Sequence, residues 1–128
     1  MRIEHVAIWT NQLERLKAFY EQYFEAKTGP KYRNSVKDFE SYFLQFEGGA
    51  RFELMTRPGL AEREPGERLM AGYAHVSFAV GSKENVDDLT AKLNADGYRV
   101  VDGPRTTGDG YYESQVLDPD GNQVEITV

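Results

Sequence analysis

An α+β fold built from two similar halves is the class this sequence predicts, and three observations predict it. The segment EHVAIWT (residues 4–10) has an echo in AHVSFAV (residues 74–80), and the chain's two histidines, His5 and His75, hold the same place in each. Each segment is followed by a helical pattern and then by strand-like runs. Finally, 70 residues separate His5 from His75, and 72 separate Glu53 from Glu125 in the last strand-like run of each half, RFELMT and QVEITV. Markers at opposite ends of two halves keep such even spacing when a chain has been duplicated internally.

The elements follow in order. IEHVAIWT alternates, with Val6 and Ile8 on one face and His5, Ala7 and Trp9 on the other. NQLERLKAFYEQYF repeats Leu13, Leu16, Phe19 or Tyr20, and Tyr23 at helical steps, and Asn11 with Glu14 three residues on is expected to cap it. Its aromatic stripe, Phe19, Tyr20, Tyr23 and Phe24, is expected in the core or at a subunit interface. After the turn signal KTGPK come strand-like runs at about 40–47 and 51–56, parted by Gly48-Gly49. In the second half YAHVSFAV is a strand. Ser82 then caps a helix with Val86, Leu89 and Leu93 on one face and Glu84, Asp87 and Asp88 in its first turns, where the helix dipole favours acids. Gly97 ends it, and runs at about 98–102, 110–117 and 123–128 complete the half. The last two are joined by DPDGN, a tight turn whose glycine comes too early for a calcium loop. Both halves thus read strand, helix, three strands. The stretch from about 57 to 72, RPGLAEREPGERLMAG, is rich in Pro, Gly and charge and is expected to link a first module (about 1–56) to a second (about 73–128). A half of about 60 residues buries too little surface to stand alone, so one pseudo-symmetric domain over 1–128 is expected.

Composition excludes several classes of function. Forty per cent of the 128 residues are hydrophobic, enough for a real core, but no apolar run approaches a membrane span. Cysteine is absent, so disulfides and thiol chemistry are excluded. Arg2 and Glu4 interrupt the region where a secretion signal would need an apolar stretch, and a cytoplasmic protein is expected. A net charge of −6 without a Lys/Arg block opposes nucleic acid as a partner.

Period-two geometry then places the chemistry. In RFELM, Phe52 and Leu54 take the core face, leaving Arg51, Glu53 and Met55 opposite; in QVEITV, Val124, Ile126 and Val128 are core and Glu125 lies opposite. Val76, Phe78 and Val80 likewise leave His75, Ser77 and Ala79 on the second face, and the small Ala7, Ser77 and Ala79 leave room there. A single His or Glu on a strand is ordinarily a hydrogen-bonded or solvated residue. Four of them at matching repeat positions suit a divalent cation, Ni, Zn, Co, Mn or Fe(II), whose charge two carboxylates would cancel.

HVAI with its following AFY, FELM, HVSFAV and DPDGNQVEI give the chain, over essentially its whole length, a resemblance to the vicinal oxygen chelate superfamily. That superfamily contains glyoxalase I, bleomycin-resistance proteins, extradiol dioxygenases, methylmalonyl-CoA epimerase and fosfomycin-resistance enzymes. The resemblance implies paired βαβββ modules, each curling a mixed sheet around a metal-binding cleft, and a homodimer whose sites are often shared by two chains. Likeness to glyoxalase I implies ligands in the order His, Glu, His, Glu, and His5, Glu53, His75 and Glu125 stand at those motif positions. Dioxygenases and fosfomycin enzymes typically use two His and one Glu, and bleomycin binders need no metal. The implied function is a metal-dependent lyase/isomerase that moves a proton between adjacent carbons of a small 2-oxoaldehyde–thiol adduct, through an enediolate that the metal stabilises. Glu125 is the implied base and Glu53 its partner on the opposite face of the substrate. Another metalloenzyme of the superfamily (epimerase, dioxygenase or thiol transferase) and a drug- or metabolite-binding resistance protein are the alternatives.

Departures from glyoxalase I bear on the substrate. Trp9 stands where an Arg that grips glutathione is expected, and Thr56-Arg57-Pro58 follows the ELM strand in place of an Asn-containing segment. Trp9 shares the face of His5, as a pocket wall or as core packing. Arg57 and Arg105 are candidate bidentate anchors for a substrate carboxylate or phosphate. TTGDGYY (residues 106–112) is either a lid or a plain hairpin loop.

Overall fold

A computed structural model describes residues 1–62 and 71–128; residues 63–70, the middle of the expected linker, lie outside the described residues. The chain divides into two compact units, Met1–Glu64 and Pro65–Val128.

The first unit contains β1 (His5–Trp9), α1 (Leu13–Phe24), β2 (Lys27–Thr28), β3 (Tyr32–Asn34), β4 (Phe39–Gln45) and β5 (Arg51–Thr56). Its sheet runs β1-β5-β4-β2, with β3 also on β4; β1 lies parallel to β5 and the other pairs are antiparallel. α1 buries Leu13, Leu16, Phe19, Tyr20, Tyr23 and Phe24, and Tyr20 meets Phe52 of β5 edge-on at 5.1 Å, so the aromatic stripe is core. The expected Asn11 cap is not formed. The cap position is Gln12, without a side-chain cap bond, and Asn11 instead donates to the Leu60 carbonyl at 3.5 Å. Thr10 explains the change: it is buried, its N–H is bonded to Met55 O at 2.9 Å, and its hydroxyl accepts from the Gln12 N–H at 2.9 Å. Glu14 therefore points elsewhere, to Lys31 at 3.0 Å and the Tyr42 hydroxyl at 3.1 Å.

KTGPK is only partly a turn, since Lys27 and Thr28 belong to β2. The place of a third strand beside β4 is shared by β2 and β3, which flank Gly29-Pro30. Proline lacks an N–H and interrupts the ladder there.

The second unit contains β6 (His75–Ala79), α2 (Lys83–Ala95), β7 (Val100–Thr106), β8 (Tyr112–Leu117) and β9 (Gln123–Thr127). Its sheet runs β6-β9-β8-β7, with β6 parallel to β9 and the remaining pairs antiparallel. Ser82 caps α2 as expected, accepting from Asn85 N–H at 3.1 Å. On the buried face Thr90 joins Val86 and Leu93, while Leu89 is only half-buried. Burial of a hydroxyl is tolerable because Thr90 Oγ1 donates to Val86 O and meets Ser114 Oγ, both at 2.6 Å. β7 outruns its expected end at 102 by passing through Gly103-Pro104 with shifted register. Only glycine fits at 103: its φ is +78°, and a Cβ would lie 2.5 Å from the Glu113 carbonyl. DPDGN is a turn organised by the buried Asp118, whose carboxylate accepts from the Asp120 and Asn122 N–H groups at 2.9 Å.

Both units are thus α+β modules with a mixed sheet, and their registers repeat. Glu53 lies opposite Ala7 across β1–β5, and Glu125 lies opposite Ser77 across β6–β9. Among the described residues no helix is long and apolar enough to cross a membrane.

Candidate functional site

In the first unit, alternation along β1 and β5 puts His5 and Glu53 on one sheet face while Phe52 and Leu54 fill the core. His5 Nε2 lies 3.9 Å from Glu53 Oε2, and the Glu53 side chain is only 14% exposed. The other ring nitrogen, Nδ1, meets the Glu4 carboxylate, whose second oxygen accepts from the Arg51 guanidinium. The hydrogen bond to His5 holds the Glu4 carboxyl below the ordinary range against the cost of burying it, with Arg51 adding to the effect. A carboxylate on Nδ1 orients the ring with Nε2 toward Glu53, the arrangement in which Nε2 would serve as the ligand atom for a metal ion. Phe43 packs edge-on to His5 at 5.5 Å, and Arg51 lies over the Phe43 ring at 4.2 Å.

The second unit presents His75 and Glu125 in the same way, with Nε2 3.4 Å from Oε2 and Glu125 again 14% exposed. Here the support is reversed. Ser77 Oγ donates to Glu125 Oε1 at 2.7 Å, whereas Ala74 precedes the histidine and Gln123 is its register partner. Glu113 of β8 lies on the same sheet face as Gln115, the register partner of Glu125. Burial raises the Glu113 carboxyl above the ordinary range, and the charge of Glu125 raises it further, against the pull of Arg105 at 3.8 Å.

The donor set fits a divalent ion. Two ligand atoms on one such ion lie roughly 3.0–3.5 Å apart, given metal–ligand bonds of about 2.0–2.2 Å. The second pair meets that separation and the first needs only a small contraction. Within each unit the candidate ligands come in twos: among the described residues no group of three or more His, Cys, Asp or Glu side chains is gathered as for a metal ion.

The remaining expected residues fall as follows. Trp9 is 47% exposed on the His5 face and touches Phe39 edge-on at 6.1 Å, so it is not core packing. Arg57 is exposed in the turn after β5. Arg105 is held by Asp102, donating from Nε at 2.6 Å, and that pairing keeps the Asp102 carboxyl low. TTGDGYY is a closed hairpin loop, with the Thr107 N–H on Tyr111 O at 2.8 Å and the Gly110 N–H on Thr107 O at 3.0 Å.

The family model for the glyoxalase/bleomycin resistance protein/dioxygenase superfamily matches residues 2–126. The chain belongs to this superfamily. Solved structures of similar fold include the trypanothione-dependent glyoxalase I of Leishmania major, with a TM-score of 0.79 at 22% identity over 99% of this chain and 86% of that one. Another is a lactoylglutathione lyase from Agrobacterium tumefaciens, with a TM-score of 0.68 at 22% identity over 98% of this chain and 91% of that one. At such identities the likeness is one of fold. The uncharacterized protein YqjT of Bacillus subtilis is 42% identical over 62 residues, 46% of this chain and 48% of YqjT, so the match spans about half of that curated relative.

Proposed function

We propose that this member of the superfamily is a divalent-metal-dependent lyase/isomerase of glyoxalase I type, acting as a cytoplasmic homodimer on a small 2-oxoaldehyde–thiol adduct or a related vicinal-oxygen substrate. The observation that carries this reading is the repeated imidazole–carboxylate pair, His5/Glu53 and His75/Glu125, each on the open face of its sheet. Those four side chains are assigned as ligands to a divalent ion, Ni, Zn, Co, Mn or Fe(II), the two pairs coming from one chain or from two. When bound, the ion supplies Lewis-acid polarisation of two adjacent substrate oxygens. The chain's own groups do the rest. Glu125, with Oε1 anchored by Ser77 and Oε2 beside His75 Nε2, takes the C–H proton and returns it to the neighbouring carbon. Glu53 serves the opposite face of the substrate. Arg57 is exposed and available for a substrate anion, whereas Arg105 must first release Asp102.

The test is turnover of methylglyoxal with several thiols by protein stripped with a chelator and reloaded with Ni²⁺ or Zn²⁺. Hydroxyacyl-thioester product that depends on the metal and on Glu125 is expected. Stoichiometric metal without turnover for any thiol would contradict the lyase reading and favour another metalloenzyme of the superfamily.

A further inference from the structure

One row of side chains in the first unit is left unused by the reaction proposed above. Register pairs Trp9 with Met55, Met55 with Ser41, and Ser41 with Tyr32, so these four form one rung across β1, β5, β4 and β3 on the face of His5 and Glu53. Phe39, two residues before Ser41 and so on the same face, joins the ends: its ring lies 6.1 Å from Trp9 and 6.0 Å from Tyr32. Ser41 is buried, so the middle of the rung is low, while Trp9 and Tyr32 stand 47% and 55% exposed at its ends. Contacting aromatics left open in this way are an apolar recess rather than scattered surface residues. The neighbouring rung toward the N-terminus of β1 is Ala7–Glu53–Phe43. Two residues of strand rise separate the rungs, about 7 Å. Apart from the Tyr32 phenol the rung holds no ionisable group, so it offers a carboxylate no charged partner.

We propose that Trp9, Phe39 and Tyr32 form a subsite for a flat aryl group bonded to a carbon that bears one of the substrate's vicinal oxygens. Reach favours this occupant: a ring on the carbon next to an oxygen held beside Glu53 falls one rung away, onto Met55 and the Trp9–Phe39 edge. The proposal rests on the metal-dependent reading above and narrows its substrate class from any 2-oxoaldehyde adduct to aryl-substituted ones.

Hydroxamates carry two adjacent oxygens and chelate divalent ions, so acetohydroxamate and benzohydroxamate differ here in the aryl group alone. Their affinities for the Zn²⁺-loaded protein are measured by calorimetry, and quenching of Trp9, the chain's single tryptophan, reports where the ring sits. Benzohydroxamate is expected to bind about tenfold more tightly than acetohydroxamate and to quench Trp9. Trp9→Ala is expected to bring that ratio below about threefold while leaving acetohydroxamate unchanged, and Trp9→Phe to keep most of it. Acetohydroxamate binding without an aryl preference would overturn the subsite and leave the metal reading standing. Failure of both hydroxamates would overturn the metal reading and the subsite with it. A Trp9 emission that shifts with protein concentration but not with benzohydroxamate would overturn the proposal and assign the rung to a second copy of the chain.

Discussion

The two units present the same imidazole–carboxylate pair and brace opposite members of it. In the first unit the support goes to the histidine: Glu4 holds His5 Nδ1 and is itself held by Arg51, while Glu53 faces Ala7, which has no donor to offer. In the second unit the support goes to the carboxylate: Ser77 donates to Glu125, while Ala74 occupies the place that corresponds to Glu4. The pair and its register thus repeat in the two units, while the neighbours differ. A histidine whose ring is oriented by a carboxylate on Nδ1 is suited to holding an ion. A carboxylate with one oxygen anchored by a hydroxyl and the other beside an imidazole is suited to moving a proton. The two glutamates are not equivalent.

The largest effect is expected where that inequality is tested most bluntly. Glu125→Gln should lower kcat by about 10³-fold, in the range of a lost general base, while Glu53→Gln lowers it less. Equal losses in steady-state kinetics would erase the distinction. A smaller effect is expected from the brace on His5. Glu4→Gln should weaken metal affinity by about 10- to 100-fold, as loss of an outer hydrogen bond to a metal-binding histidine does, measured by competition with a chelator. Ser77→Ala should leave metal affinity close to that of the parent and lower kcat by about tenfold. A mainly metal-binding defect in Ser77→Ala would show that the two braces do the same work.

The smallest effect concerns Glu113. Its carboxyl is raised in the folded state, chiefly by burial and next by Glu125, so folding favours its protonated form. Stability from this residue is full below the ordinary carboxyl range and is lost as pH rises through the raised value. Glu113→Gln should then raise Tm at pH 7 by about 2 °C, with the gain vanishing near pH 4 in a thermal melt series. A gain that persists in acid would assign it to packing rather than charge.

Much of this was legible before the structure. Alternation placed Val6, Phe52, Val124 and Ile126 inward and therefore His5, Glu53, His75 and Glu125 together on the open faces, since a period of two leaves no other choice. Ser82 was legible as a cap because its hydroxyl meets no competitor. Asn11 misled because the buried Thr10, one residue earlier, already supplied an oxygen to the chain entering α1. The split third strand and the long β7 were hidden by Gly29-Pro30 and Gly103-Pro104, dipeptides that locally signal a stop although pairing resumes beyond them. Glu4 was missed for a geometric reason. Adjacent residues of a strand face opposite ways, but Glu4 lies just before β1 begins and is free to turn back onto His5. Glu113 required the order of strands in the sheet, which spacing alone does not give.

Bound metal per chain tests the central claim most directly. Untagged protein is dialysed against Ni²⁺ or Zn²⁺, freed of excess ion and analysed for the element, beside His5→Ala and His75→Ala. About one ion per chain, lost in both variants, is the result this account predicts. Folded parent protein without stoichiometric metal, or an ion retained in full by either histidine variant, would contradict it.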